Sequence, residues 1–426
     1  MEKTIIFNGQ KTKESNFDFD VIIKNLKSRL DYMHDLSEDD IIDFFDKLVD
    51  YWQESGLLKK HSYLKNLSEF FDKGNFSEKL NIALHNNYKA LDGFVDLGDK
   101  GLLFHAQPRG LTCHWLAGNV PVLGLFSIFF CLATKNVCLV KAPLRGFEEL
   151  TGLLETLNEV KTEKIDGRDF SKSVAVLLIE NNDKESHEKL SAIADVRIAW
   201  GGLDAVNAII GLKKNLFCED IIFGPKYSYV LIDKESLEKN QKNLVQRLAV
   251  DVSVFDQYAC SSPHTVFIQE AEPGQAENFA KELASQLELV NRVLLPKIEK
   301  DPAKSAEIIS MRAEYELKGK VFNSPGTEWT VIYTKESGLA KGCGSRVIFV
   351  KPIKDLKSIR DYNNRQKQTL GTGLTQENKL KYLDSITQKG IDRCPNLGYM
   401  TFYESPWDGM FVLDRLVRWV TTHKDI

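Results

Sequence analysis

The chain has 426 residues, 43% hydrophobic and 27% charged, with Gly 27 and Pro 12, a composition that excludes disordered, fibrous and small disulfide-stapled chains and leaves room for two or three cored domains. Lysines and arginines total 56 against 60 aspartates and glutamates, a net charge of −4 with the signs interspersed, so no nucleic acid partner is expected. The cysteines, Cys113, Cys131, Cys138, Cys218, Cys260, Cys343 and Cys394, form no Cys-x-x-Cys pair and lack a histidine spacing suited to zinc, so they read as reduced thiols and no metal is expected.

Residues 1–20 are polar and lack the apolar stretch of a secretory signal, which with reduced thiols points to the cytoplasm. From 17 to 97 the pattern is helical: Ser37 can cap with Asp40, and Ile41, Phe45, Leu48, Val49 and Trp52 fall on one face. From Gly101, short apolar strands at Leu102–Ala106, Val137–Lys141, Val174–Glu180, Val196–Trp200 and Ile221–Phe223 alternate with helical segments. That alternation predicts βαβ crossovers and a doubly wound parallel sheet, an α/β fold. The most apolar run, Val120–Thr134, has 15 residues, short of the roughly 20 a membrane-spanning helix needs, and reads as a buried core helix. A strand at Tyr229–Ile232, a helix over about 236–251 and the segment Phe255-Asp-Gln-Tyr-Ala-Cys-Ser-Ser-Pro-His264 follow, with a second α/β domain beginning near residue 233. Phe279, Leu283 and Leu287 mark a later helix stripe, and the tail is expected to end in a helix with Leu413, Leu416, Val417 and Val420 inward.

Several positions could carry chemistry. Asn119 stands at the entry to the apolar helix, where it either caps the helix or aims its amide at a substrate oxygen. Lys141 ends a strand at the edge where open α/β sheets bind ligands, and otherwise is a solvated surface lysine. Gly201-Gly202 joins a strand to a helix start that suits a pyrophosphate, although a plain tight turn would look the same. Cys260 lies among small residues between a helix and a strand, either as a nucleophile or as a small buried hydrophobe. Cys113-His114 is a poor catalytic couple, because neighbours on a strand point to opposite faces.

In this order, Gly101-Leu-Leu-Phe-His105, Gly118-Asn-Val-Pro121, Asp195-Val-Arg-Ile-Ala-Trp-Gly-Gly202, Asp256-Gln-Tyr-Ala-Cys-Ser-Ser-Pro263, Gln368-Thr-Leu-Gly371 and Trp407-Asp-Gly409 resemble the LuxC-type acyl-CoA reductases. That family comprises the fatty acyl reductase subunit of bacterial bioluminescence and its non-luminous relatives, within the aldehyde dehydrogenase superfamily. The resemblance runs from about residue 100 to the end. It implies an aldehyde dehydrogenase-like fold: a helical N-terminal region over 1–100, a dinucleotide-binding domain over 101–232, a catalytic domain over 233–400, and a segment over 401–426 that packs back or oligomerises. It implies that Cys260 is the nucleophile and Asn119 the oxyanion-hole amide, that Gly201 and Gly202 receive the pyrophosphate, and that Lys141 contacts the adenosine ribose.

Two departures refine the expectation. Hydrolytic superfamily members carry a Glu-Leu-Gly-Gly-Lys segment whose Glu activates water; here the stretch is Ile222-Phe-Gly-Pro-Lys226, and an apolar Ile222 cannot act as a general base. NAD-dependent members place a Glu three residues after the ribose lysine; here Leu144 stands there, followed by Arg145, a side chain suited to phosphate. The expected activity is NADPH-dependent reduction of a fatty, long-chain acyl thioester such as acyl-CoA to the aldehyde through an acyl-cysteine, in a homo-oligomer served by an acyl-transferring partner enzyme. The alternatives are a hydrolytic aldehyde dehydrogenase, a cysteine acyl carrier without redox activity, and a non-catalytic scaffold.

Overall fold

The computed structural model describes residues 3–14, 18–61, 63–118, 121–295 and 301–424. Its strands, numbered in chain order, are β1 (Lys3–Phe7), β2 (Gln10–Glu14), β3 (Leu102–Pro108), β4 (Leu111–Trp115), β5 (Val137–Ala142), β6 (Val174–Leu178), β7 (Val196–Trp200), β8 (Glu219–Phe223), β9 (Tyr227–Ile232), β10 (Pro263–Gln269), β11 (Gly319–Asn323), β12 (Thr330–Thr334), β13 (Val347–Ile353), β14 (Lys367–Gly373) and β15 (Val417–His423). The chain divides into two compact units, one of residues up to Gly224 with those from Tyr403 onward, the other Pro225–Phe402.

In the first unit a seven-stranded sheet runs β2-β1-β6-β5-β4-β7-β8, parallel from β6 to β8. Every residue of β4 and β5 is buried, as expected of strands covered on both faces. The apolar run forms the helix Pro121–Ala133. Its Phe126, Phe129 and Phe130 pack against Phe70, Phe45 and Trp52 of the N-terminal helices, each buried ring worth about 1.5–3 kcal/mol. It is therefore a core helix, and no helix of the described residues is long and apolar enough to cross a membrane. Ser37 and Asp40 form a reciprocal capping box on Glu38–Glu54, and Trp52 Nε1 donates to Thr156 Oγ1 at 2.9 Å.

In the second unit the sheet order is β11-β12-β13-β10-β9-β14, parallel except for β11. The helix Gln275–Leu289 buries the expected stripe, Phe279, Leu283 and Leu287.

The architecture corrects four expectations. Residues 1–100 are not helical throughout, because β1 and β2 form a hairpin that adds antiparallel to β6, with Ile5 opposite Leu177. The strand at residue 102 lies outside the parallel sheet and pairs antiparallel with β15; β4 takes its place. The tail after the short helix Val412–Arg415 is strand β15 rather than helix, because its run of Val, Trp and Thr favours an extended chain over the 3.6-residue spacing read from its leucines. The first unit ends at Gly224, so β9, expected in the dinucleotide domain, belongs to the second sheet.

Candidate active site

The helix Lys234–Ser253 ends at Val254, and the chain then takes a turn whose three consecutive residues Phe255, Asp256 and Gln257 have φ of 53°, 49° and 65°. Left-handed backbone costs a residue with a Cβ about 1–2 kcal/mol, so the turn must be held from outside. Two side chains hold it. Gln257, buried, donates from Nε2 to Pro263 O at 2.6 Å and Val347 O at 2.8 Å, and its Oε1 accepts from Val347 N at 2.8 Å. Asp256 accepts from Arg346 Nε at 2.7 Å, and the same guanidinium donates to Asn291 Oδ1 and to Leu295 O. The partner turn is itself left-handed at Gly344, Ser345 and Arg346.

Cys260 follows in this fixed loop, half-buried, just ahead of β10. Its carbonyl accepts from Ser228 Oγ at 2.7 Å, and that hydroxyl accepts from Thr369 N at 3.1 Å. The N-terminal ends of β9, β10 and β14 thus converge on the thiol-bearing loop. His264 lies four residues beyond, its ring 5.2 Å from that of Tyr227, with Gly342 so close that a Cβ there would approach the imidazole to 3.2 Å. Burial pulls His264 down to about 4, so it is neutral at physiological pH.

The other cysteines lie in different surroundings. Burial pushes the thiols of Cys113, Cys138 and Cys218 up, and that of Cys394 to about 12, which removes the thiolate needed for attack. Cys113 and His114 lie on the straight strand β4, which makes no turn between them. His114, Cys131 and Cys138 have donor atoms within 4.8 Å of one another, a grouping the sequence spacing did not reveal. Thr112 Oγ1 bonds within it, 2.7 Å from His114 Nε2 and 3.0 Å from Cys131 Sγ, and Ser127 Oγ lies 2.8 Å from His114 Nδ1. The cluster is a satisfied core network.

In the first unit, β7 leads into Gly201 and Gly202, which precede the helix Leu203–Ile210. A Cβ on Gly202 would meet nothing within 4 Å, so a ligand can approach this backbone closely. The helix is fixed from below by Arg197, almost fully buried. Its Nε and Nη2 pair with Asp220 at 2.7 and 2.9 Å, while Nη1 donates to Ile209 O and Leu212 O at the helix end. Lys141 is buried rather than solvated, and its Nζ donates to Asn181 Oδ1 at 2.8 Å. Burial lowers its pKa. The turn after it, Pro143 to Arg145, packs on Gly118. Leu144 is 79% exposed, and Arg145 is exposed too. Asn119 lies outside the described residues. The water-activating position holds Ile222, half-buried on β8.

The sequence reading did not single out Gln257, Arg346, Ser228, Arg197 or Asn181. Polar residues inside apolar strand and turn runs, such as Arg197 within Val196–Trp200, were the available signal, since a buried polar group implies a partner.

Two parallel-stranded α/β units, one presenting a glycine turn and a buried lysine at a sheet edge and the other a thiol in a strained, clamped loop, define an aldehyde dehydrogenase-like fold. The structure is similar to that of aldehyde dehydrogenase 21 from Physcomitrella patens in complex with succinate, at TM-score 0.70 and 12% identity, covering 99% of this chain and 98% of that one. It is also similar to an aldehyde dehydrogenase from Bartonella henselae, at TM-score 0.65 and 11% identity over 99% and 98%. The chain belongs to the acyl-CoA reductase (LuxC) family, whose sequence profile matches residues 33–419; the match thus includes most of the N-terminal helices, which the motif resemblance omitted. It is 25% identical to the long-chain acyl-protein thioester reductase of Vibrio harveyi over 99% of this chain and 93% of that protein. It is 26% identical to the one from Aliivibrio fischeri over 93% and 84%.

Proposed function

We propose that this chain reduces a long-chain acyl thioester to the aldehyde, with Cys260 as the acyl-accepting nucleophile and NADPH as the reductant. The observation that carries the reading is the setting of Cys260, a half-buried thiol in a loop held by Gln257 and Arg346, in a chain of this family. The Cys260 thiolate attacks the thioester carbonyl; the tetrahedral oxyanion is held by the Cys260 backbone N–H and the Asn119 amide. The carbon–sulfur bond to the acyl donor's own thiol breaks, that sulfur leaves as thiolate and takes up a proton, and the acyl group remains on Cys260. A reduced nicotinamide supplies the hydride that converts this acyl-cysteine to a thiohemiacetal. The same donors hold its oxyanion, and collapse releases the aldehyde and returns the Cys260 thiolate.

The residues of the first unit suit a dinucleotide. In the Gly201-Gly202 turn the open face of Gly202 would admit the pyrophosphate, and Lys141, with Arg145 in the following turn, would meet the adenosine ribose and its phosphate. With Ile222 in place of a carboxylate, no side chain there activates water against the acyl-cysteine, which favours reduction over release of a carboxylic acid. The acyl group would arrive as a coenzyme A thioester or on the thiol of a partner enzyme. The test compares aldehyde formation from long-chain acyl-CoA and NADPH in wild type, Cys260→Ala and Cys113→Ala. Loss in the first variant alone is expected; activity that survives Cys260→Ala and fails in Cys113→Ala overturns the assignment.

A further inference from the structure

The helix Gln275–Leu289 of the second unit changes the character of its outward face at its C-terminal end. Its solvent-facing stripe runs through Asn278, Lys281 and Ser285, polar positions three or four residues apart, and then continues through Leu289 and Val293 at the same spacing. Leu289, Val293 and Leu294 are 48%, 63% and 61% exposed. The change coincides with a π turn, Val290–Leu294, closed by Leu295 N donating to Val290 O at 2.8 Å. Such turns are rare and gather at functional sites.

Hydrogen bonds tie this apolar patch to the nucleophile. Arg346, buried just ahead of β13, donates from Nη1 to Asn291 Oδ1 at 3.2 Å and to Leu295 O at 2.7 Å, and from Nε to Asp256 at 2.7 Å. One guanidinium thus holds both the π turn and the left-handed turn that leads to Cys260. Asp256 and Cys260 are four residues apart, at most about 14 Å of chain. With C–C bonds of about 1.5 Å, each methylene advances an extended hydrocarbon by about 1.3 Å. An acyl group of about eleven carbons or more on Cys260 spans that interval, whereas one of eight carbons extends only about 9 Å.

We propose that the π turn is the distal wall of the acyl-chain subsite, and that Val293 and Leu294 are specificity-determining residues which select long acyl chains over short ones. The inference rests on the reading of Cys260 as the acceptor of a long-chain acyl group. An acyl chain is the occupant favoured by the placement, because the wall is cross-linked through Arg346 to the turn that leads to the nucleophile and so stands at a fixed distance from it. Each methylene that these side chains cover contributes about fourfold to the preference.

The test is the rate of Cys260 acylation by tetradecanoyl-CoA and by octanoyl-CoA, followed by intact-mass spectrometry on the full chain without nucleotide. Wild type is compared with the double variant Val293→Gln/Leu294→Gln and with Val293→Ile/Leu294→Met; exposed positions such as these tolerate substitution within about 0.5 kcal/mol of stability. Wild type should prefer the longer chain. The glutamine pair should slow tetradecanoyl transfer about tenfold or more while octanoyl transfer stays within about twofold, and the Ile/Met pair should keep the wild-type preference to within about threefold. An unchanged preference in the glutamine pair, an equal fall with both chain lengths, or a wild type without preference overturns the proposal. So does a lower assembly mass of the glutamine pair by light scattering, which would make the patch a contact between copies. A wild type that forms no adduct on Cys260 defeats the thioester-reductase reading and this inference with it, whereas wild-type adducts with an unchanged preference in the variant defeat this inference alone.

Discussion

Replacing Gln257 tests whether the loop geometry, rather than the bare presence of a thiol, makes Cys260 a nucleophile. The side chain is buried and makes three hydrogen bonds of 2.6, 2.8 and 2.8 Å to Pro263 and Val347. In Gln257→Ala the Val347 N–H keeps a 3.2 Å bond to Gly344 O, while the two carbonyls lose this donor. At about 1–3 kcal/mol for each of the two buried carbonyls left unsatisfied, the loss should be roughly 2–6 kcal/mol. For a unit of this size that is a fall of roughly 4–24 °C in Tm. The three left-handed residues that Gln257 helps to hold would relax, and displacement of the sulfur by about 1 Å costs on the order of 100-fold in rate. Gln257→Glu is the sharper variant: it keeps the shape and the acceptor for Val347 N–H but sets a carboxylate against the Pro263 and Val347 carbonyls. Acyl-enzyme formation followed by rapid-quench mass spectrometry at neutral pH should be slowed in both variants. Wild-type acylation by a folded Gln257→Glu would refute the argument that the clamp sets the nucleophile.

Other predictions follow from burial and charge. Asp251, fully buried on the helix Lys234–Ser253, accepts from Gly398 N at 2.6 Å and Met400 N at 3.1 Å, and burial raises its pKa to about 7. An unfolded aspartate titrates near 3.9, so the stability it contributes is fully present below about pH 4 and is lost as pH rises through about 7, a change of about 4 kcal/mol. An asparagine in its place cannot ionise, so urea unfolding of Asp251→Asn at pH 5 and pH 8 should lack this component; equal pH dependence in the two proteins would contradict it. Iodoacetamide at pH 7.5 should label Cys260 well before Cys113, Cys138, Cys218 and Cys394, read by peptide mapping; faster labelling of Cys394 would count against the ordering by burial. Asn119→Ala should cost about 2.7–4 kcal/mol of transition-state stabilisation, the weight of one oxyanion donor; turnover within a few-fold of wild type would leave Asn119 as a cap.

Much of the fold was legible because apolar periodicity reports burial directly. The helix Pro121–Ala133 and strands β5 and β7 stand where their apolar runs placed them. The hairpin β1–β2 escaped because its polar residues carry no apolar alternation, and β15 escaped because Leu413 and Leu416 just before it continue into Val417 and Val420 at a helical spacing. At the candidate site, the segment around Cys260 was visible from its small residues and the family resemblance. The clamp was not, since Gln257 and Arg346 are 89 positions apart in the chain and nothing local links them. The partner of Lys141, 40 residues away, was hidden for the same reason, and with it the difference between a solvated lysine and a buried one.

The most direct measurement is intact-mass spectrometry of the whole chain after incubation with a long-chain acyl-CoA, without and then with NADPH. The account predicts one acyl group added per chain, mapped to the peptide containing Cys260, persistent without NADPH and discharged as an equal amount of aldehyde when it is added. An adduct on another cysteine, no adduct at all, or discharge as free acid at the same rate with and without NADPH would contradict it.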